Sequence, residues 1–326
     1  MNEPTPTMSR NMRKSFWVMP WPKRAWIVGA SLLALAVTGC AVVRLAYNQA
    51  PGWTSAWIDN YANLDDEQGP RARDAIGALF RWHRSTQLTE YTGMLARMQT
   101  QVMDNTNNVT LCRWEPELRQ RAEALLAQAV APATELALTL KPQQLRHIEK
   151  RFERSNQEFR DDYLQPDLDE RREERHKRTV ERLQKLYGRL DGAQRERLSN
   201  ALAASPYDAE VWQQERLARQ RDTLQTLRTL AGDGRALPAS VAQAEVKTLM
   251  GSWLRSPRPA YAAYQRKVVE HNCAWLAELH NSTTAEQRRH AHDKLRGWEA
   301  DAKALGGATS AVQIGADTPA SAFAGR

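Results

Sequence analysis

Histidines and carboxylates are the residues of this sequence best suited to acid–base or metal chemistry. The chain has seven histidines, and no two have the i, i+4 spacing, with a nearby acid, of a helical metal site. His290 and His292 lie two residues apart, so their side chains diverge on a helix. Glu149, Glu153 and Arg154 could supply an acid and a base, but any charged helix offers such a set. We therefore predict no catalytic residues, no metal and no cofactor, and the balance favours a non-enzymatic protein.

The N-terminus has the layout of a secretory signal, a basic segment followed by a short apolar one. The thirteen apolar residues Ala25–Val37 are too few to span a bilayer as a helix. The next residues complete the motif Val37–Cys40, which resembles the lipobox of bacterial lipoproteins. The resemblance implies that a diacylglycerol is attached to the Cys40 thiol and that the signal, residues 1–39, is cleaved between Gly39 and Cys40.

The basic character of the chain lies partly in this segment. The whole chain has 46 Lys and Arg against 38 Asp and Glu, and 41 and 37 remain after residue 39, which leaves a net charge of +4. This small excess removes the support for a nucleic-acid partner. Ala41 follows Cys40 in place of the Asp that resembles an inner-membrane retention signal. We therefore predict an outer-membrane, lipid-anchored protein on the periplasmic side, with an envelope protein as its partner.

Helical periodicity dominates the remaining chain, and no run of alternating β-branched residues is bounded by turns. We predict an all-α fold, a multi-helix bundle over residues 53–305. A lipid anchor and tether (40–52) precedes it, and a disordered tail (306–326) rich in Ala, Gly, Ser and Thr follows it. Helices are predicted over 66–83, 88–104, 114–138 with a bend at Pro132, 191–203, 207–231, 239–255, 259–280 and 284–305.

One segment of the bundle, residues 142–188, is predicted to be a long helical arm that is interrupted or kinked at Pro166. Residues 169–178 contain no apolar side chain, and both signs of charge recur at three- and four-residue spacing. The simplest interpretation is a solvated helix that protrudes from the body and is stabilised by its own ion pairs. The alternative is a docking arm for a partner, carried by Arg171, Arg172 and Arg175.

The two cysteines that follow the lipobox are Cys112 and Cys273, 161 positions apart. In an oxidising compartment such thiols pair, so a disulfide is predicted. Two separate buried thiols are the alternative.

A short aromatic segment follows the predicted anchor. Trp53, Trp57 and Tyr61 recur every four residues, which places them on one helical face. Three interpretations are open: the face is part of the core, it rests on the bilayer interface, where Trp and Tyr are favoured, or it presents a groove to a partner.

A helix-start pattern recurs four times, with a Gln at its fifth position: Leu64–Gln68, Leu140–Gln144, Leu190–Gln194 and Thr283–Gln287. Asp65, Asp191 and Thr284 lie three residues before their Gln, which is the capping-box arrangement, and Pro142 suits a first helical position. The pattern also resembles the Leu-Thr-x-x-Gln signature of the Spy-type periplasmic chaperones. Two copies depart from that signature, and the mature chain is about twice as long.

A second resemblance lies directly behind the lipobox, and it is to an uncharacterised family of helical lipoproteins from Gram-negative bacteria. The residues that carry it are Arg44–Ala50, Trp57, Asp59, Tyr61, Leu64, Gln68 and Trp82–Arg84. The resemblance implies an all-helical envelope lipoprotein and no particular activity. We therefore predict a binding or scaffolding role in the envelope, with a Spy-like holdase or a hydrolase of an envelope polymer as alternatives.

Overall fold

The computed structural model of the chain describes residues 40–232 and 237–316. The predicted signal, with Gly39, lies outside the described residues, as do the last ten residues of the predicted tail. The described residues form an all-α, multi-helix fold without strands, as predicted. Its helices are α1 (Cys40–Ala62), α2 (Gln68–Trp82), a π-helical turn (His83–Gln87), α3 (Leu88–Gln101), α4 (Asn108–Cys112), α5 (Trp114–Leu138), α6 (Pro142–Tyr163), α7 (Leu168–Tyr187), α8 (Gly192–Ala203), α9 (Ala209–Ala231), α10 (Ala239–Leu254), α11 (Pro259–Asn281) and α12 (Ala285–Ala316).

Local capping sets several of these helix starts, and the three predicted capping boxes are confirmed. At the start of α8, the Gln194 backbone N–H donates to Asp191 Oδ1 at 2.8 Å, and the Asp191 N–H donates to Gln194 Oε1 at 3.1 Å. Asp65 exchanges the same two bonds with Gln68 at α2, and Thr284 does so with Gln287 at α12. Each box satisfies backbone donors that the first turn leaves without a helical acceptor.

Two helix boundaries differ from the sequence prediction. Residues 40–52, predicted as an anchor and tether, are the first half of α1, which runs without interruption to Ala62. The tail predicted to be disordered from residue 306 is helical as far as Ala316, because α12 continues past Leu305. Residues 306–316 contain three Ala, the best helix former, and three Gly, a poor one, and Gly306 lies close to Leu88 of α3. α5 also runs through Pro132 as one helix.

The predicted long arm is divided at Pro166. α6 ends at Tyr163 and α7 begins at Leu168, since a proline disfavours the helical conformation of the residue before it. The Asp167 carboxylate then caps α7 by accepting from the Asp169 N–H at 2.8 Å. The two halves are therefore separate helices that can pack in different directions.

The apolar side chains form three buried clusters. The first joins α7, α8, α11 and α12, and its centre is Leu190 and Leu198, each about 1% exposed. The second joins the end of α1 to α6 and α9 through Ala62, Ile148 and Leu224. The third joins α5, α9 and α10 around Ala242, which is fully buried. The second cluster connects the C-terminal end of the first helix to the body, because Ala62 belongs to it.

Two pairs of buried glutamines, which we call the glutamine nodes, join the four recurrent helix starts. Gln68 pairs with Gln144, and Gln194 pairs with Gln287, through side-chain amides that donate to each other. Each amide also donates to a backbone carbonyl one residue before its partner's motif; these carbonyls belong to Thr139, Asn63, Ser282 and Arg189. The motif therefore caps its own helix and also links two helix starts through reciprocal hydrogen bonds.

A disulfide joins α4 to α11. The Cys112 and Cys273 sulfurs are bonded, and their Cα atoms are 5.5 Å apart. The bond ties the short α4, in which no residue is buried, to a helix of the main core.

Candidate functional site

The first helix is the surface that we consider the candidate functional site, and it is held rigidly against the body. The Tyr47 hydroxyl lies 2.8 Å from Nδ1 of His83, and Arg84 donates to the Asn48 side chain at 2.7 Å. Arg44 forms an ion pair with the buried Asp301 of α12 at 3.3 Å. These contacts begin at Arg44, about one turn after Cys40, so the segment predicted as a tether is attached to the folded protein.

Aromatic packing around the π-helical turn supports this attachment. The Tyr47 ring meets Phe80 edge-on at 5.9 Å, and His83 lies 5.5 Å from the ring of Tyr91. Burial lowers the pKa of His83 and raises the pKa of both tyrosines. The imidazole is therefore neutral at pH 7 and serves as a hydrogen-bond partner for α1.

The opposite side of α1 presents an apolar surface to solvent. Its exposed side chains Val42, Leu45, Trp53 and Trp57, which we call the α1 stripe, are 55–63% exposed. At 100° per residue these four side chains lie within about 120° of the helix circumference. The core interpretation of the predicted aromatic face is therefore wrong for both tryptophans.

Tyr61, the third residue of the predicted face, marks the edge where this surface meets the body. Its ring lies 4.8 Å from Trp57 and 6.0 Å from Phe152 of α6. The Arg151 guanidinium lies over the same ring at 5.2 Å. Tyr61 therefore packs on α6, whereas the two tryptophans next to it do not.

The predicted docking arm is the N-terminal half of α7, and its three arginines have different surroundings. Arg172 is exposed and forms an ion pair with Asp169, three residues earlier, at 2.9 Å. Arg171 donates to the carbonyl of Gln165 at 2.8 Å. Arg175 donates to Ser205 Oγ at 2.8 Å and to the Leu202 carbonyl at 3.2 Å.

Arg175 therefore corrects the prediction that this segment makes no contact with the body. Its guanidinium lies 4.8 Å from the centre of the Tyr207 ring. Burial lowers the pKa of Arg175, and the side chain forms its hydrogen bonds with neutral oxygens. A long side chain can cover an aromatic ring and still reach polar atoms, so an absence of apolar residues does not make a segment free of the body.

An aromatic stack lies next to α7, and the sequence does not predict it. Phe159 is stacked between Tyr163 and Trp212, with centroids 4.8 Å from each. Arg178 lies over Tyr163 at 4.7 Å, and Arg216 lies 5.9 Å from the Trp212 ring. Phe159 and Tyr163 are spaced as core residues in the sequence, but the Trp212 partner lies in another helix, which spacing alone cannot indicate.

Two open clefts are the concave sites that we consider for chemistry. The larger, of about 850 Å³, contains Glu149, which is paired with Arg228 at 3.2 Å, but neither Glu153 nor Arg154 lines it. The smaller, of about 320 Å³, lies beside the first glutamine node and contains the Asp65–Lys141 ion pair. Within the described parts of the chain, no group of three His, Cys, Asp or Glu side chains could hold a metal ion.

The fold defines the class of the protein as an all-α, multi-helix protein. The chain belongs to a family of unknown function (DUF6279), which it matches over residues 60–238. The match begins at Asn60 and covers the first three recurrent helix starts. No curated protein and no solved structure matches the chain.

Proposed function

We propose that the protein is an outer-membrane-anchored periplasmic lipoprotein with a binding or scaffolding role in the envelope. The observation that carries the proposal is the position of Cys40. The lipobox-like residues Val37–Cys40 lead directly into α1, which is fixed to the body. A lipid on Cys40 would therefore hold the folded body close to the membrane. None of the described helices has the combination of length and hydropathy needed to cross a bilayer.

The binding role is supported by the kind of surface that the described residues offer. Each of the two clefts contains an ion pair, Glu149–Arg228 in the larger and Asp65–Lys141 in the smaller. By contrast, the α1 stripe and the exposed part of α7 around Arg172 are extended surfaces with side chains directed to solvent. Extended apolar and charged surfaces of this kind are suited to macromolecular contacts.

The anchor is tested by metabolic labelling with a radioactive fatty acid. The natural chain should incorporate the label and should lose residues 1–39, whereas Cys40→Ser should remain unlabelled and unprocessed. The double variant Cys112→Ser/Cys273→Ser is the matched control, and it should still be labelled. Labelling of Cys40→Ser, or cleavage of that variant after Gly39, would refute the anchor.

The scaffolding role is tested by crosslinking the anchored protein in intact cells and capturing it. One abundant partner, recovered in proportion to the captured protein, is the expected result. Arg172→Gln should weaken that capture if α7 is the docking surface, and added salt should weaken it in the natural chain, because contacts between exposed charges are screened. Recovery of no partner would contradict the scaffolding role.

The Spy-like holdase is the second candidate, and the exposed α1 stripe is the observation that favours it. A holdase needs apolar surface that non-native chains can reach, and four large apolar side chains of α1 are more than half exposed. The purified protein should then suppress the aggregation of reduced α-lactalbumin without a cofactor, and Trp53→Asp/Trp57→Asp should suppress it less. Equal suppression by both proteins would exclude the stripe as the client site. No arrangement of the described residues favours the envelope-polymer hydrolase.

A further inference from the structure

We propose that the α1 stripe lies in the interfacial layer of the bilayer, so that α1 runs along the membrane surface and sets the orientation of the whole body. This inference rests on the proposed lipid anchor at Cys40. It adds that the protein contacts the membrane through a defined surface as well as through its acyl chains.

The composition of the stripe is the first argument. The residues that lie between its members on the exposed side of α1 are Ala46, Gln49, Ala56 and Asn60, so no charged side chain interrupts it. The two charged residues of the helix are elsewhere, since Arg44 pairs with Asp301 and Asp59 accepts from the Leu64 N–H at 2.9 Å. Tryptophan is enriched at membrane interfaces, where its ring is apolar and its N–H can meet water or headgroups.

The position of the stripe relative to Cys40 is the second argument. An α-helix rises 1.5 Å per residue, so Trp57 lies about 26 Å along the axis from Cys40. An α1 perpendicular to the membrane would therefore hold Trp57 far from the lipid. An α1 parallel to the membrane brings Val42, Leu45, Trp53 and Trp57 to the surface together. The stripe thus continues directly from the anchor.

The attachment of α1 to the body is the third argument. Tyr47 bonds to His83 on the side of the helix away from the stripe, and Ala62 is buried in the second core cluster. The body therefore covers one side of α1 and leaves the other side open. A rigid helix with its inner side covered can meet a flat surface without rearrangement of the fold.

Charge at one edge of the stripe is the fourth argument. The Arg151 guanidinium lies over the ring of Tyr61, which contacts Trp57 at the edge of the stripe. The phosphates of lipid headgroups attract basic residues near a membrane surface, so a basic side chain at this edge favours a membrane as the occupant.

The test uses the acylated, processed protein reconstituted in vesicles of phosphatidylethanolamine and phosphatidylglycerol, with or without brominated acyl chains that quench tryptophan. Of the eleven tryptophans, three precede Cys40, so eight remain after cleavage and two of them are on the stripe. We expect brominated lipid to remove about a quarter of the emission of the natural protein. Trp53→Phe/Trp57→Phe should remove nearly all of that quenching. Trp253→Phe, which changes an exposed tryptophan of α10, should leave it unchanged.

The outcomes separate this inference from the anchor. Fatty-acid labelling of the same preparation tests the anchor independently. A labelled protein whose quenching is absent, or is the same in the double variant, would overturn the membrane-resting stripe and leave the anchor in place. Crosslinking of one copy to another through residues 53 and 57 would assign the stripe to a dimer, and would also overturn the inference. An unlabelled protein would refute the anchor itself.

Discussion

The side-chain amides of Gln194 and Gln287 each donate a hydrogen bond to the other, with N···O distances of 2.8 and 2.9 Å. The two residues are 93 positions apart along the chain, and they are about 1% and 9% exposed. Each amide oxygen also accepts a backbone N–H of its own helix start, at Asp191 and Thr284. The pair therefore couples two local caps to a long-range contact, and it fixes the starts of α8 and α12 against each other.

The second glutamine node predicts a large cost for truncating either member. Gln194→Ala would remove both bonds between Gln194 and the buried Gln287 amide, and it would take away the Gln194 partner of the Ser282 carbonyl and of the Asp191 N–H. Each buried group without a partner costs about 1 to 3 kcal/mol, so we expect the free energy of unfolding to fall by about 2 to 4 kcal/mol in urea denaturation. Gln243→Ala, at an exposed position of α10, is the matched control and should have little effect.

The double variant Gln194→Ala/Gln287→Ala tests the reciprocity of the pair. Because both single variants disrupt the same bonds, the double variant should be destabilised by clearly less than the sum of the two. Additive effects would show that the two side chains act independently and would contradict their reciprocal hydrogen bonding.

The disulfide predicts that the natural, oxidised protein contains a covalent link between the peptides that carry Cys112 and Cys273, detectable by mass spectrometry without reduction. The entropy model gives about 4 to 5 kcal/mol for a loop of this length, as an upper value. Cys112→Ala and Cys112→Ala/Cys273→Ala should therefore lose similar stability, since either change opens the same loop. Alkylation of both thiols in the unreduced natural protein would show that the bond is absent.

The helix starts could be predicted from the sequence because capping is local. Asp191 and Gln194 are three residues apart, and their reciprocal bonds require only the start of one helix. The partner Gln287 could not be predicted, since all four motifs carry an equivalent glutamine and the core decides which starts meet. Arg175 shows the same limit. Its neighbours in the sequence are charged, but its contact with Tyr207 depends on the packing of α7 against the α8–α9 connection.

The aromatic face of α1 shows that the sequence predicts which residues share one side of a helix, but not whether that side is buried. Four-residue spacing places Trp53, Trp57 and Tyr61 on one side of a helix, and this much is correct. α1 also carries Tyr47 on a different side of the helix. The body covers that side, where the Tyr47 hydroxyl is hydrogen-bonded to His83. Spacing identifies the faces of a helix, but only the neighbouring helices determine which face is buried.

Buried histidines predict that the protein loses stability in mild acid. His280 lies 2.9 Å from the Tyr187 hydroxyl and 2.8 Å from the Asp104 carbonyl, and burial lowers its pKa. The unfolded chain, with a histidine pKa of about 6.5, therefore binds a proton that the folded chain resists. The stabilising contribution is complete above this pH and is lost as the pH falls below it. The loss is at most about 1.4 kcal/mol per pH unit for each such histidine.

The measurement is the urea midpoint at pH 7.5 and pH 5.0. His280→Gln keeps an amide in reach of the same partners but cannot titrate, so it should reduce the difference between the two midpoints. Burial also lowers the pKa of His83, so His83→Gln/His280→Gln should reduce the difference further. A difference that is the same in all three proteins would assign the acid sensitivity to other groups.

Tyr187, the hydrogen-bond partner of His280, predicts a second loss of stability, at alkaline pH. Burial raises the pKa of Tyr187 to about 12, so the folded protein keeps the hydroxyl protonated while the unfolded chain ionises above about pH 10. Stability should therefore fall as the pH rises above 10, and Tyr187→Phe should be less sensitive between pH 10 and 11. Its urea midpoint at these two pH values gives the comparison, and equal sensitivity in both proteins would contradict the assignment.

The arginines of α7 predict a separation between stability and partner binding. Arg175→Gln removes two hydrogen bonds and the contact with Tyr207, so it should lower the free energy of unfolding by about 1 to 2 kcal/mol. Arg172 is exposed and its ion pair with Asp169 is exposed too, so Arg172→Gln should cost about 0.5 kcal/mol or less. Urea denaturation of the two single variants measures both values.

Only the exposed arginine is therefore a clean probe of docking. Replacing Arg171, Arg172 and Arg175 together would mix lost stability with lost contact, because Arg171 pairs with Glu210 of α9 and Arg175 donates to Ser205. If α7 docks a partner, Arg172→Gln should weaken capture of that partner while the urea midpoint stays near the natural value. If α7 has a structural role alone, Arg175→Gln should change stability and neither variant should change capture per folded molecule. If Arg172→Gln and Arg175→Gln destabilised the protein equally, the two arginines would not differ in burial. The distinction between a docking role for Arg172 and a structural role for Arg175 would then be wrong.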